Sequence, residues 1–261
     1  MIQAPKPSRR TSAFLVGTLG VLCFAALGCS RIPGRPGPGP EVVRPEQVVD
    51  FSTLYKENCA ACHGVTGKDG AALALNNPVY VAIAGEDNIH RVIAGGVDGK
   101  LMPAFAKSAG GMLTDQQVAI LAHGIVQTWG KPGVLAGQTP PPYADAEAGD
   151  AARGQQAFTA SCAKCHGANG EGSQNGKYKQ GSIVDPAYLA LISDQGLRSI
   201  ILAGLPDRHM PDWRGGSEHP LLTGQQTTDI VAWLALHRTD NPGQPYAETN
   251  TTAGSVTGAA K

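Results

Sequence analysis

The sequence predicts an all-α protein made of two small helical domains in tandem, and three observations carry that expectation. The pentapeptide Cys59-Ala60-Ala61-Cys62-His63 returns 103 positions later as Cys162-Ala163-Lys164-Cys165-His166, and each copy is followed by a Met-Pro pair, Met102-Pro103 and Met210-Pro211. From Pro78 to Met102 and from Pro186 to Met210 the halves align without a gap, 24 residues from proline to methionine in each. Strand signals are weak throughout, whereas capping residues and glycine stops mark helices.

The pentapeptide is chemistry. In C-x-x-C-H the two thiols add across the vinyl groups of a heme and the adjacent histidine becomes the fifth ligand of its iron. A methionine thioether can close the sixth position, and soft sulfur favours iron(II) and raises the reduction potential. The expected cofactors are two covalently bound heme c groups. Cys59, Cys62, His63 and Met102 would hold the first, and Cys162, Cys165, His166 and Met210 the second, with His63, Met102, His166 and Met210 as axial iron ligands. Met112 is the one rival to Met102, but only Met102 preserves the repeat. Paired C-x-x-C motifs that bind zinc usually stand about 15–20 residues apart, and a thioredoxin-like pair needs a βαβ setting that is absent here. No catalytic residue is expected.

On these motifs the chain resembles the class I c-type cytochromes, specifically exported diheme members with two such domains in tandem. The resemblance covers about residues 45–130 and 147–240 and rests on the pentapeptide, the Met-Pro loop and a closing helix, twice each. It implies two class I cytochrome c folds, each wrapped around its heme. It also implies that entry and final helices cross where a glycine meets an aromatic. Gly154 and Phe158 with Ile230 and Trp233 fit in the second half; Phe51 and Tyr55 with Leu121 and Gly124 fit in the first, large and small having traded places. Family members fix the proximal imidazole to a proline carbonyl. Pro78 lies 15 residues after His63 and Pro186 lies 20 after His166, so that partner stays unassigned.

Along the chain, Lys6, Arg9 and Arg10 precede an apolar run from Ala13 to Leu27, which in charge order and length is a signal peptide over residues 1–28. The run ends on Ala26-Leu27-Gly28-Cys29, which looks like a bacterial lipoprotein cleavage site with Cys29 acylated. Residues 29–45 are a Pro/Gly tether that is expected to be extended and solvated. The first domain, 46–130, is expected to contain an entry helix ending at the pentapeptide, a short helix after Pro78, a third running to Gly95-Gly96, the methionine loop, and a last helix capped by Thr114. A Pro/Gly linker follows at 131–146. The second domain, 147–240, repeats the order with Thr223 as the last cap, after a five-residue insertion around Lys177 to Gly181 that reads as a surface loop. Residues 241–261 read as a disordered tail.

Charge narrows the function. The chain carries 21 basic and 21 acidic residues, but residues 41–135 carry 7 against 9 and residues 147–240 carry 8 against 10, so each domain sits at −2. Heme propionates add to that, which argues against nucleic acid and for partners with a basic docking face. Of six cysteines, two lie in or beside the signal and four in the pentapeptides, leaving none for a structural disulfide. The expectation is a lipid-anchored diheme electron carrier on the periplasmic side of a bacterial membrane, with a soluble periplasmic form as the alternative. It would take electrons from a quinol-oxidising complex or dehydrogenase and pass them to a terminal oxidase or reductase. The rivals are a diheme enzyme, such as a peroxidase or a thiosulfate-oxidising cytochrome, and a fixed cytochrome subunit of a respiratory complex.

Overall fold

Local capping decides where the helices begin. The computed structural model describes residues 39, 42–145, 147–173, 180–215 and 220–239. Helix α1 spans Phe51–Asn58, with the Asp50 carboxylate accepting from the Thr53 amide at 2.8 Å. It runs through Cys59 into the single turn α2, Ala60–His63. Helix α3, Pro78–Gly95, starts with proline just inside an asparagine cap and breaks at Gly85, whose φ of 69° no helix accommodates. That break divides the run into the two helices expected there. Helix α4, Asp115–Trp129, opens with a reciprocal pair in which Thr114 accepts from the Gln117 amide and Gln117 accepts from the Thr114 amide.

The second half repeats the order. Helices α5 (Ala151–Ser161) and α6 (Ala163–His166) match α1 and α2. Helices α7 (Pro186–Leu191) and α8 (Asp194–Ala203) match the two parts of α3. Helix α9, Gly224–Ala235, carries the same capping pair, made by Thr223 and Gln226. Among the described residues the extended backbone amounts to isolated bridges, so the fold is all-α.

The entry and final helices cross as the resemblance implies, α1 on α4 and α5 on α9. A Cβ added at Gly124 would lie 2.1 Å from the Phe51 ring, so the glycine of α4 takes the aromatic of α1. At Gly154 the small residue is on the entry helix instead. There an added Cβ would meet the Asp229 carbonyl oxygen at 2.0 Å and the Trp233 Cβ at 2.9 Å. The second crossing is thus a backbone-to-backbone approach, with Phe158 and Trp233 stacked beside it at 4.4 Å between ring centres. Phe158, Leu54, Leu121 and Ile230 are among the side chains that fill the core beneath the crossings.

The 131–146 stretch is held at its end. Buried Arg198 of α8 donates to the carbonyls of Pro142 at 2.9 Å and Tyr143 at 3.1 Å and to Thr228 Oγ1 at 2.7 Å, with the Asp145 carboxylate 3.4 Å away. Tyr143 in turn shares a hydrogen bond with buried Tyr80 of α3. The described residues from Pro45 onward form one compact unit. Cys29 and residues 1–38, most of the 177–181 insertion, His219 and the 241–261 tail lie outside the described residues. No helix among those described is long and apolar enough to cross a membrane.

The two crossings make different predictions. Gly124→Ala is expected to destabilise the holoprotein by about 1–3 kcal/mol through overpacking. Adding Phe51→Ala should then cost less than the sum of the single changes, because the obstructing ring is gone. Gly154→Ala should not be relieved by Trp233→Ala, since the obstruction is backbone. Denaturant unfolding of the two double-mutant cycles checks this, and equal coupling in both would contradict the geometry.

Candidate heme-binding sites

Each pentapeptide is one helical turn hung from the end of an entry helix. The Cys59 amide donates to the Tyr55 carbonyl at 2.8 Å, and the Cys62 and His63 amides both donate to the Cys59 carbonyl, at 3.2 and 2.9 Å. The second copy is superimposable in its bonding. Cys162 donates to Phe158 at 2.7 Å, and Cys165 and His166 donate to Cys162 at 3.1 and 3.0 Å. In each pair one thiol is sheltered and the other exposed. Burial and the neighbouring thiol push Cys59 and Cys162 up to about 11, so both stay protonated near neutral pH.

The two imidazoles have the chemistry a metal ligand needs. Burial lowers the pKa of both His63 and His166 and keeps the rings neutral, the form that binds metal. His63 Nδ1 lies 2.7 Å from the Leu73 carbonyl, and a carbonyl only accepts, so Nδ1 carries the proton and Nε2 keeps its lone pair. The acceptor is Leu73, not a proline. His166 Nδ1 is buried without a partner among the described residues, and the position ten residues beyond it lies outside them.

The methionine loops share one closing bond. The Val97 amide donates to the Met102 carbonyl at 3.0 Å, and Leu205 donates to Met210 at 2.9 Å. Both side chains are half-buried against the core. The turn before each loop is a glycine with positive φ, Gly96 at 71° and Gly204 at 66°, and an added Cβ at either would come within 2.8 Å of the loop backbone. Met112, at 83% exposed, has no such setting. Of the other described histidines, His90 lies within α3, His123 faces Glu86 at 3.2 Å, His237 Nδ1 sits 3.1 Å from the Trp233 carbonyl, and His209 adopts a left-handed backbone beside Met210.

Sequence reasoning missed the glycines that follow the histidines. Gly64 has φ 81° and Gly167 φ 83°; a Cβ on Gly64 would stand 1.7 Å from the Lys68 carbonyl oxygen. The signal was available, because the glycine recurs at the same offset as the pentapeptide. The residues fit a covalently held heme in both halves. Two thiols and a neutral imidazole share one helical turn, and in each half a methionine loop is closed by a bond to the methionine carbonyl.

Comparison with known proteins divides the chain the same way. Residues 151–237 match the family described as "Cytochrome c", and residues 46–123 match "Cytochrome C oxidase, cbb3-type, subunit III". The chain is 30% identical over 175 residues to a cbb3-type cytochrome c oxidase subunit FixPc of Rhizobium leguminosarum bv. viciae, covering 63% of this chain and 53% of the relative. It is 28% identical over 132 residues to a CcoP subunit of Azospirillum sp., covering 46% and 40%. The chain therefore spans about half the length of the curated relatives it matches. A solved chain from the Kuenenia stuttgartiensis reducing HAO-like protein complex Kustc0457/Kustc0458 covers 77% of this chain and 99% of its own length, at 18% identity and a TM-score of 0.41.

Gly64→Ala should block heme attachment in the first half only, because the turn that carries His63 cannot close. Heme quantitation per polypeptide should then fall from two to about one, as for any lost covalent site. Full loading of the variant would contradict the role given to Gly64.

Proposed function

The chain is a diheme class I c-type cytochrome, and from that premise we propose that it carries single electrons between a quinol-oxidising complex or dehydrogenase and a terminal oxidase or reductase. When bound, each heme supplies one reversible electron at its iron. The chain's own residues would hold that group. Cys59 and Cys62, and Cys162 and Cys165, would tie the ring down through thioether bonds. His63 and His166 would supply an imidazole nitrogen to the iron, and Met102 and Met210 a thioether sulfur. The observation that supports the reading is the bond that closes each methionine loop, Val97 to the Met102 carbonyl and Leu205 to the Met210 carbonyl, which favours a sixth ligand in both sites over a vacant position for peroxide.

The acceptor side is supported by the relatives, whose names make them subunits of cbb3-type oxidases. Those names equally favour a second reading, a fixed subunit of an oxidase rather than a mobile carrier. For location, we infer the periplasmic side of a bacterial membrane, with Cys29 as a lipid attachment point and residues 29–45 as a tether. That inference rests on the charge order and cleavage-site pattern of residues 1–29.

Both readings predict low-spin, six-coordinate hemes that bind carbon monoxide poorly when reduced. Met102→Ala or Met210→Ala should open one site, lower that heme's potential and admit carbon monoxide at about half of the hemes. Rapid carbon monoxide binding or peroxide turnover by the unaltered protein would instead favour an enzyme. Cys29→Ser should release the protein from membranes with both hemes retained, and persistence in the membrane fraction would contradict the lipid anchor. Co-purification of the full chain from native membranes separates carrier from fixed subunit.

A further inference from the structure

The base of the second methionine loop is gripped by a side chain of the first half. Asn77 is 6% exposed and uses both ends of its amide. Its Oδ1 caps α3, accepting from the amides of Val79 at 3.0 Å and Tyr80 at 3.3 Å. Its Nδ2 donates across to the carbonyls of Ala203 at 3.1 Å and Gly204 at 3.0 Å. Ala203 is the last residue of α8, and Gly204 is the positive-φ turn from which the Met210 loop departs. The next residue, Leu205, exchanges two backbone hydrogen bonds with Met210, at 2.9 and 3.1 Å. The amide of Asn77 is therefore one residue from the clamp on Met210.

The arrangement is not reciprocal. The repeat places Asp185 where the first half has Asn77. A carboxylate caps α7 equally well, accepting from the Tyr188 amide at 2.9 Å, but has no N–H to donate. The Met102 loop instead reaches outward through Lys100, whose flexible ammonium donates to the Ala190 carbonyl at 2.6 Å. A further link to the Met210 loop, Lys68 to Asp207 at 3.0 Å, is exposed at both ends and contributes little.

We propose that Asn77 is a positioning residue for Met210, so that the first half of the chain sets how firmly the sixth ligand of the second heme is held. The proposal rests on the reading of Met210 as that ligand. Met210 must leave the iron before carbon monoxide enters, so the rate of carbon monoxide binding to the reduced heme reports the detached population. Losing the Asn77 bonds releases the loop without touching the ligand itself.

The substitution Asn77→Asp separates the two jobs of the side chain, since it keeps the α3 cap and turns the donor into an acceptor facing two carbonyls. Asn77→Ser keeps a cap without adding charge. Each is made in the full-length holoprotein in two backgrounds. With Met102→Ala, the slow phase of carbon monoxide binding belongs to the second heme. Either Asn77 change should speed it about tenfold, the ratio expected for roughly one net hydrogen bond, and lower that heme's potential. With Met210→Ala, the slow phase belongs to the first heme and should not move. An unchanged rate in the first background, or an equal rise in both, overturns the proposal. If Met210→Ala alone fails to open a heme, the ligand assignment has failed rather than the role of Asn77.

Discussion

Everything in this fold hangs from the close crossing of an entry helix with a final helix. The pentapeptide is a single turn whose first amide bonds back into the entry helix, and the loop after it adds a bond from the Ala72 amide to the Cys62 carbonyl and one between His63 and the Leu73 carbonyl. The direction in which the histidine points thus depends on how that helix lies on its partner and on the loop that follows. The distance is set by a glycine in each case, and the two halves reach it by different routes. In the first, a ring from α1 enters the space left by Gly124. In the second, Gly154 lets α5 touch the backbone of α9 at Asp229. Asp229 repays the approach by accepting from the Asp150 amide at 2.7 Å and from Arg153 Nε at 2.8 Å, which ties the start of the entry helix to the crossing. Those bonds hold the Asp229 carboxyl down to about 2.

Much of this was legible because the chain is written twice. The candidate heme ligands, the capping threonines at 114 and 223, and the exchange of large and small residues at the crossings are all visible as aligned pairs. What the repeat could not show is whatever the halves do not share. The partner of His63 is the Leu73 carbonyl, a backbone group with no side-chain signature, and it falls in the stretch where the second copy has five extra residues. The glycines after the histidines were visible in both copies, but their need for positive φ follows from Lys68 folding back onto Gly64, a contact no periodicity reveals.

The join between the repeats was the least legible part. Composition marks residues 131–146 as a spacer, yet Arg198 turns its carbonyls at Pro142 and Tyr143 into an anchored strap. A buried arginine is unusual unless its donors are met, and here three carbonyls, a hydroxyl and a carboxylate meet them. Asn77 reads as an ordinary helix cap in sequence, and only the fold shows that its other end serves the opposite half. Two heme domains joined in this way share more than a tether, since the backbone at the base of the Met210 loop accepts from Asn77 and the Met102 loop reaches a helix of the second half through the Lys100 side chain.

A redox titration of the purified full-length protein, followed through the methionine-to-iron(III) charge-transfer band, tests the central claim most directly. The account requires two one-electron steps per polypeptide, each accompanied by its own share of the band as iron is oxidised. A single step per polypeptide, or a second step that brings high-spin iron and no band, would contradict it.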